Sequence, residues 1–147
     1  MTDNYHASYD GYAERVRASL SSQPLMSRLL GAEALTIMPG RVELVLDVGP
    51  DLLQPHGNVH GVVASALADS AAGYAAQTLL AEGADVVTVE YKINFLAPGI
   101  GKRIRAVGEV LRAGRTLQIC AADVYAEQDG RTRHFAHMVA TMMAVES

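Results

Sequence analysis

Asp69 is the only charged residue in a run, residues 61–80, built almost wholly of Ala, Ser, Gly, Val and Leu. No Lys or Arg occurs between His56 and Tyr91, so this carboxylate has no sequence-local cation to pair with. Burial without an ion-pair partner is the setting that makes a carboxylate an effective base. Its helical neighbours three and four positions away are Ser65, Ala66, Ala72 and Gly73, all small. That leaves room above the carboxylate and makes Ser65 and Gly73 candidate substrate contacts. Eight residues earlier, Gly61 stands where a polar loop turns into helix. Its backbone N–H and those just after it are unsatisfied donors at the positive end of the helix dipole, a setting suited to a developing oxyanion. A base and an oxyanion donor together are what attack on an acyl group requires.

Other chemistry-bearing residues fit less well. His56 and His60 are four apart, but Gly57 replaces the Glu of the zinc-protease pattern, so no metal is expected. His134 and His137 read as strand residues on opposite faces and are assigned no chemistry. Cys120, between Ile119 and Ala121, reads as a small buried hydrophobe. No Gly-x-Ser-x-Gly elbow is present, which removes an α/β-hydrolase route to acyl cleavage.

The elements that must position these residues follow from periodicity and turn signals. Residues 9–22 carry Tyr12, Val16 and Leu20 at helical spacing behind Asp10, a candidate N-cap, and Pro24 ends the segment. A short helical turn is expected over 25–30, stopped by Gly31. Strands are expected over 32–38 and 41–48 around Pro39-Gly40, followed by a loop rich in Gly, Pro and His over 49–59. The run 61–80 reads as a helix buried on most of its circumference. Residues 86–96 alternate with period two, and further strands are expected over 102–112, 116–127 and 131–145. Ala113-Gly114 and Asp129-Gly130 divide them. The pattern predicts an α+β fold: an antiparallel six-stranded sheet wrapped around one long central helix, with an N-terminal helix.

Length and composition bound the rest. The 147 residues read as one domain, 1–147, with 1–31 as an N-terminal helical segment. A formal net charge of -4, without a Lys/Arg cluster, argues against a nucleic-acid partner. The single cysteine fits a reducing, cytoplasmic compartment. No signal-peptide pattern or long apolar stretch points to a membrane.

Residues 54–69 resemble the PaaI-like branch of the hotdog-fold acyl-CoA thioesterases, whose pattern is a loop, His-Gly-Gly, then Leu-Ala-Asp two turns into the helix. Here these are His60-Gly61-Val62 and Leu67-Ala68-Asp69. The likeness extends through Val87-Thr88-Val89, Asn94-Phe95-Leu96-Ala97-Pro98-Gly99 and the Arg112-Ala-Gly-Arg115 turn. It implies a hotdog fold and hydrolysis of a small or medium aliphatic or aryl acyl-CoA, with no cofactor beyond the CoA of the substrate. Asp69 would be nucleophile or general base, and Gly61 the oxyanion donor. Thr88 would help position water, and His60 would be structural or polarising. Gln54 stands in place of an Asn that assists carbonyl polarisation, and Asn58 of the same loop would line the substrate. Val62 replaces the second motif Gly and adds bulk beside the donors, so altered turnover, or an acyl-CoA-binding module without turnover, is the alternative. A dehydratase would want a His and acid pair instead. CoA phosphates need cations, for which Lys102, Arg103, Arg105, Arg112 and Arg115 are candidates. The resemblance also implies a homodimer or homotetramer whose site draws on two chains.

Overall fold

A computed structural model describes residues 4–146, and tight turns set the boundaries of its elements. Helix α1 is Tyr12–Ser21, strands β1 and β2 are Glu33–Met38 and Arg41–Asp47, and helix α2 is Gly61–Gln77. Strands β3 to β6 are Ala84–Phe95, Arg103–Ala113, Leu117–Gln128 and Arg131–Glu146. All pairings are antiparallel, in one six-stranded sheet of order β1-β2-β4-β5-β6-β3. This is the α+β hotdog architecture that the pattern and the resemblance implied. The turn at Asp129-Gly130 has both residues at positive φ, 50° and 77°, as a two-residue hairpin requires.

α2 lies across one face of the sheet, and its small residues are explained by how closely other backbone approaches. Ala64, Ala68, Ala71, Ala72, Ala75 and Ala76 are fully buried. At Gly108 of β4 a Cβ would lie 2.3 Å from the Ala71 carbonyl carbon and oxygen and 2.5 Å from the Ala72 nitrogen. Strand and helix backbones are therefore nearly in contact, which only glycine on one side and alanine on the other permit. The inward residues of the strands, among them Leu44, Ile104, Val124, Met138 and Met142, close the core around the helix. The other face carries an ion-pair ladder. Arg41 pairs with Glu43 at 2.7 Å and with Glu109, while Arg105 pairs with Glu127 at 2.7 Å and Glu43 at 3.6 Å.

Several local expectations are corrected. Asp10 does not cap α1: Gly11 occupies the N-cap, with no side-chain hydrogen bond, and the helix begins at Tyr12. The short turn after Pro24 is π-helical, Leu25–Leu29, and Gly31 leaves it at φ 65°. α2 ends at Gln77, where Thr78 becomes the C-cap and its hydroxyl accepts from the Gly40 N–H at 2.8 Å. The alternation along β3 does not keep one face inward, because the register shift between Thr88 and Glu90 flips the faces, and among the described residues β3 pairs only with β6. Val87, Val89, Tyr91 and Phe95 remain 43–53% exposed. α1 is held by Arg15, whose guanidinium donates to the carbonyls of Ala81, at 3.3 Å, and Ala84. No helix among the described residues is long and apolar enough to cross a membrane.

Candidate active site

Asp69 sits half-buried in the middle of α2. Thr88 on β3 donates its hydroxyl to Asp69 Oδ1 at 2.7 Å, next to a register shift between Thr88 and Glu90. The cleft that both line has a volume of about 210 Å³ and also takes in Ser70, Gly73, Tyr74 and Gln77 of α2. Ser19 of α1, with Ser22 and Gln23 just after the helix, completes the lining, which sequence reasoning missed because nothing in the pattern tells which polar residue of a surface segment will face a neighbour. Burial, then the charge of Asp85, pushes the Tyr74 phenol up to about 12, so it stays a neutral O–H. Ser65, a candidate substrate contact, gives its hydroxyl proton to the Gly61 carbonyl at 3.0 Å along its own helix.

The N-terminus of α2 forms a second cleft. His60 is the N-cap residue, and its Nδ1 accepts the Val62 N–H at 3.2 Å while its carbonyl takes the Val63 N–H at 3.0 Å. Of the first three helical amides this leaves the Gly61 N–H without an acceptor among the described residues. The Phe95 ring packs over this point: a Cβ at Gly61 would lie 3.0 Å from it. Gly61, Phe95 and Phe135 line a cleft of about 330 Å³ with Gln54 and Asn58, which the sequence assigned to the same neighbourhood. Val62, suspected of disturbing the donors, is accommodated: its backbone is helical and its side chain is 66% exposed.

The two clefts share no residue. Gly61 and Asp69 are eight residues apart on one helix, which at 1.5 Å per residue is about 12 Å along its axis. Among the cations, Arg105 is occupied by Glu43 and Glu127, and Lys102 by Asp129 at 3.3 Å. Half-buried Arg103 of β4, and Arg112 and Arg115, exposed at the turn from β4 to β5, have no carboxylate partner among the described residues. That turn lies at the C-terminal end of α2, since Gly40 accepts from Val110 and donates to Thr78. Cys120 is buried, and burial pushes its thiol up to about 12, as fits an inert core residue.

Comparison with known proteins places this geometry among relatives. Residues 56–132 match the model of the thioesterase superfamily. A crystal structure of a thioesterase family protein from Silicibacter pomeroyi is 47% identical, with a TM-score of 0.90, covering 93% of this chain and 100% of that one. A Listeria monocytogenes protein named 1,4-dihydroxy-2-naphthoyl-CoA hydrolase is 27% identical over 94 residues, 64% of this chain and 76% of that protein. The E. coli PaaI protein of the phenylacetic acid degradation operon shares the fold, with a TM-score of 0.79 at 20% identity over 92% of this chain and 95% of that one.

Proposed function

This chain belongs to the thioesterase superfamily as a PaaI-like hotdog thioester hydrolase, and on that premise we propose that it cleaves small or medium aliphatic or aryl acyl-CoAs to free acid and CoA at a site shared by two copies. The observation that carries the reading is the Asp69–Thr88 pair at 2.7 Å, lining a cleft beside the buried helix. With Oδ1 held by Thr88, the other carboxylate oxygen takes a proton from water, and the water oxygen attacks the thioester carbonyl carbon. The oxyanion that forms accepts the Gly61 N–H, with Gln54 as a second donor. Collapse of this intermediate breaks the C–S bond, and the proton held by Asp69 passes to the leaving thiolate. Attack by the carboxylate itself would give an anhydride that water then cleaves, with the same products. Neither route needs a cofactor.

An oxyanion donor must lie about 3 Å from the carbonyl oxygen, and a base must reach the carbonyl carbon through no more than one water. The separation of about 12 Å along α2 therefore supports a site in which Gly61 comes from one copy and Asp69 from another. The edge strand β3, with Val87, Val89, Tyr91 and Phe95 exposed, supports pairing into a homodimer or homotetramer. Arg112 and Arg115, free of carboxylates, are the residues proposed to hold CoA phosphates. His60 acts through the helix cap, and Asn58, Val62 and Gly73 shape the walls met by the acyl group. The buried single cysteine is consistent with a reducing, cytoplasmic setting.

The test is a panel of aliphatic and aryl acyl-CoAs, followed by release of free thiol. Turnover of at least one member, lost in Asp69→Asn, is the expected result. Saturable binding of acyl-CoAs without thiol release would overturn hydrolysis and leave a binding module.

A further inference from the structure

On the face of the sheet opposite α2, Asp123 of β5 and His134 and His137 of β6 converge. His134 Nε2 and His137 Nδ1 each lie 2.7 Å from the same oxygen, Asp123 Oδ1. Two strand residues three apart should point to opposite faces, and the sequence reading placed them so. A β-bulge reverses this. His137 is paired with Asp123 and Ala136 with Val124, but Tyr125 is paired with His134, so Phe135 is the extra residue. The bulge brings both imidazoles to the outer face while the Phe135 ring stays inside, against the Gly61 cleft.

We propose that Asp123, His134 and His137 form a binding site for one divalent transition-metal ion of the zinc class. All the donor atoms lie within 4.8 Å of one another. Zinc bound at about 2.0–2.2 Å in tetrahedral geometry needs donors about 3.4 Å apart, so each imidazole must back away from Asp123 Oδ1 by about 0.7 Å while the two imidazole nitrogens draw together. All three side chains are partly exposed, at 34–42%, and Asp123 and His137 have room for such shifts. The donor set also sorts the candidates. Two imidazoles disfavour calcium and magnesium, which take oxygen ligands, and the absence of thiolate disfavours copper(I). Three protein donors on an open face leave a fourth position for water.

Two surrounding features favour an ion over a plain hydrogen-bonded cluster. Asp123 has no Lys or Arg partner among the described residues, and the nearby Arg105 is turned onto Glu127, Glu43 and the Tyr125 ring, 4.8 Å from its centre. The Tyr125 ring in turn stacks on His134 with centroids 5.0 Å apart and planes at 24°, which holds that imidazole in place. The site lies on the opposite side of the sheet from Asp69 and needs nothing of the hydrolytic reading.

The experiment is calorimetric titration of the tag-free, chelator-treated full chain with Zn²⁺, alongside Co²⁺ followed by its visible absorption. One ion per chain is expected, with a rise in Tm on adding zinc. His134→Ala and His137→Ala should each lose saturable binding and the Tm response, as should the near-isosteric Asp123→Asn. His56→Ala and Asp69→Asn should keep both. Absence of saturable binding in the unmodified chain overturns the site. So does binding that survives in the His134→Ala/His137→Ala double variant, which would move the ion to other donors such as His56 and His60. Should that double variant fail to fold, the conservative His134→Gln/His137→Gln pair decides in the same way.

Discussion

Thr88 Oγ1 donates to Asp69 Oδ1 at 2.7 Å, joining the edge strand β3 to the middle of α2. No described residue donates to the second carboxylate oxygen, so the carboxylate is oriented on one side and open on the other. A hydrogen bond to a charged group is worth about 1.5–3 kcal/mol.

If that bond aims Asp69 at water, Thr88→Ala should lower kcat by about ten- to a hundredfold at nearly unchanged KM, since each 1.36 kcal/mol is about tenfold in rate. Thr88→Ser, which keeps the hydroxyl, should recover most of the loss. Asp69→Asn should keep the fold and abolish hydrolysis, because the amide is neither base nor nucleophile. Steady-state kinetics on the best acyl-CoA, with circular dichroism as the fold control, checks all three. An alanine variant as active as the unmodified chain would remove Thr88 from the mechanism.

Gly108 makes a prediction about stability alone. Its backbone faces Ala71 so closely that a methyl group would lie 2.3 Å from helix backbone, which cannot rotate away as a side chain can. Gly108→Ala should destabilise the chain by about 1–3 kcal/mol through overpacking, read as a lower Tm. Gly130→Ala offers a contrast: it has open space around it but sits at φ 77°, so its cost should come from backbone strain alone.

How far these features were legible depends on their kind. Strand ends came within a residue or two, because Pro39-Gly40, Ala113-Gly114 and Asp129-Gly130 mark reversals by local backbone chemistry. The buried helix was legible because only close packing of backbone asks for so many small residues in a row. The bulge at Phe135 was not, since it lacks Gly or Pro and shows only in the partner strand's register, and His134 and His137 were split across two faces as a result. At Val62 the sequence shows only part of the local setting. Its substitution for a motif glycine is visible in sequence, but the hydrogen bond from its N–H to His60 Nδ1 is not.

Arg112 and Arg115 carry a prediction that separates the nucleotide end of the substrate from its acyl end. If they hold CoA phosphates, Arg112→Ala and Arg115→Ala should raise KM for an acyl-CoA and leave kcat little changed. An acyl-pantetheine with the same acyl group but no nucleotide should show no such rise. The two KM ratios, measured side by side, decide whether charge at this turn reads the phosphates.

The last prediction concerns the division of the site between copies. Gly61→Pro removes the N–H proposed to hold the oxyanion while suiting the first helical position, where proline is favoured. The preceding residue, His60, already has the extended conformation, φ -63° and ψ 135°, that a following proline requires. The Phe95 ring over Gly61 must shift a little, which a half-exposed side chain allows. Gly61→Pro and Asp69→Asn should therefore each fold and each be inactive. Unfolded together and refolded as a mixture, they form mixed dimers in which one site receives both defects and the other receives neither. With random pairing half the dimers are mixed and half of their sites are intact, so about a quarter of the unmodified activity should return. If each chain instead held a complete site, every site in the mixture would carry one defect, and no activity would return at any mixing ratio. The same mixture measured by sedimentation at micromolar concentration should contain no monomer.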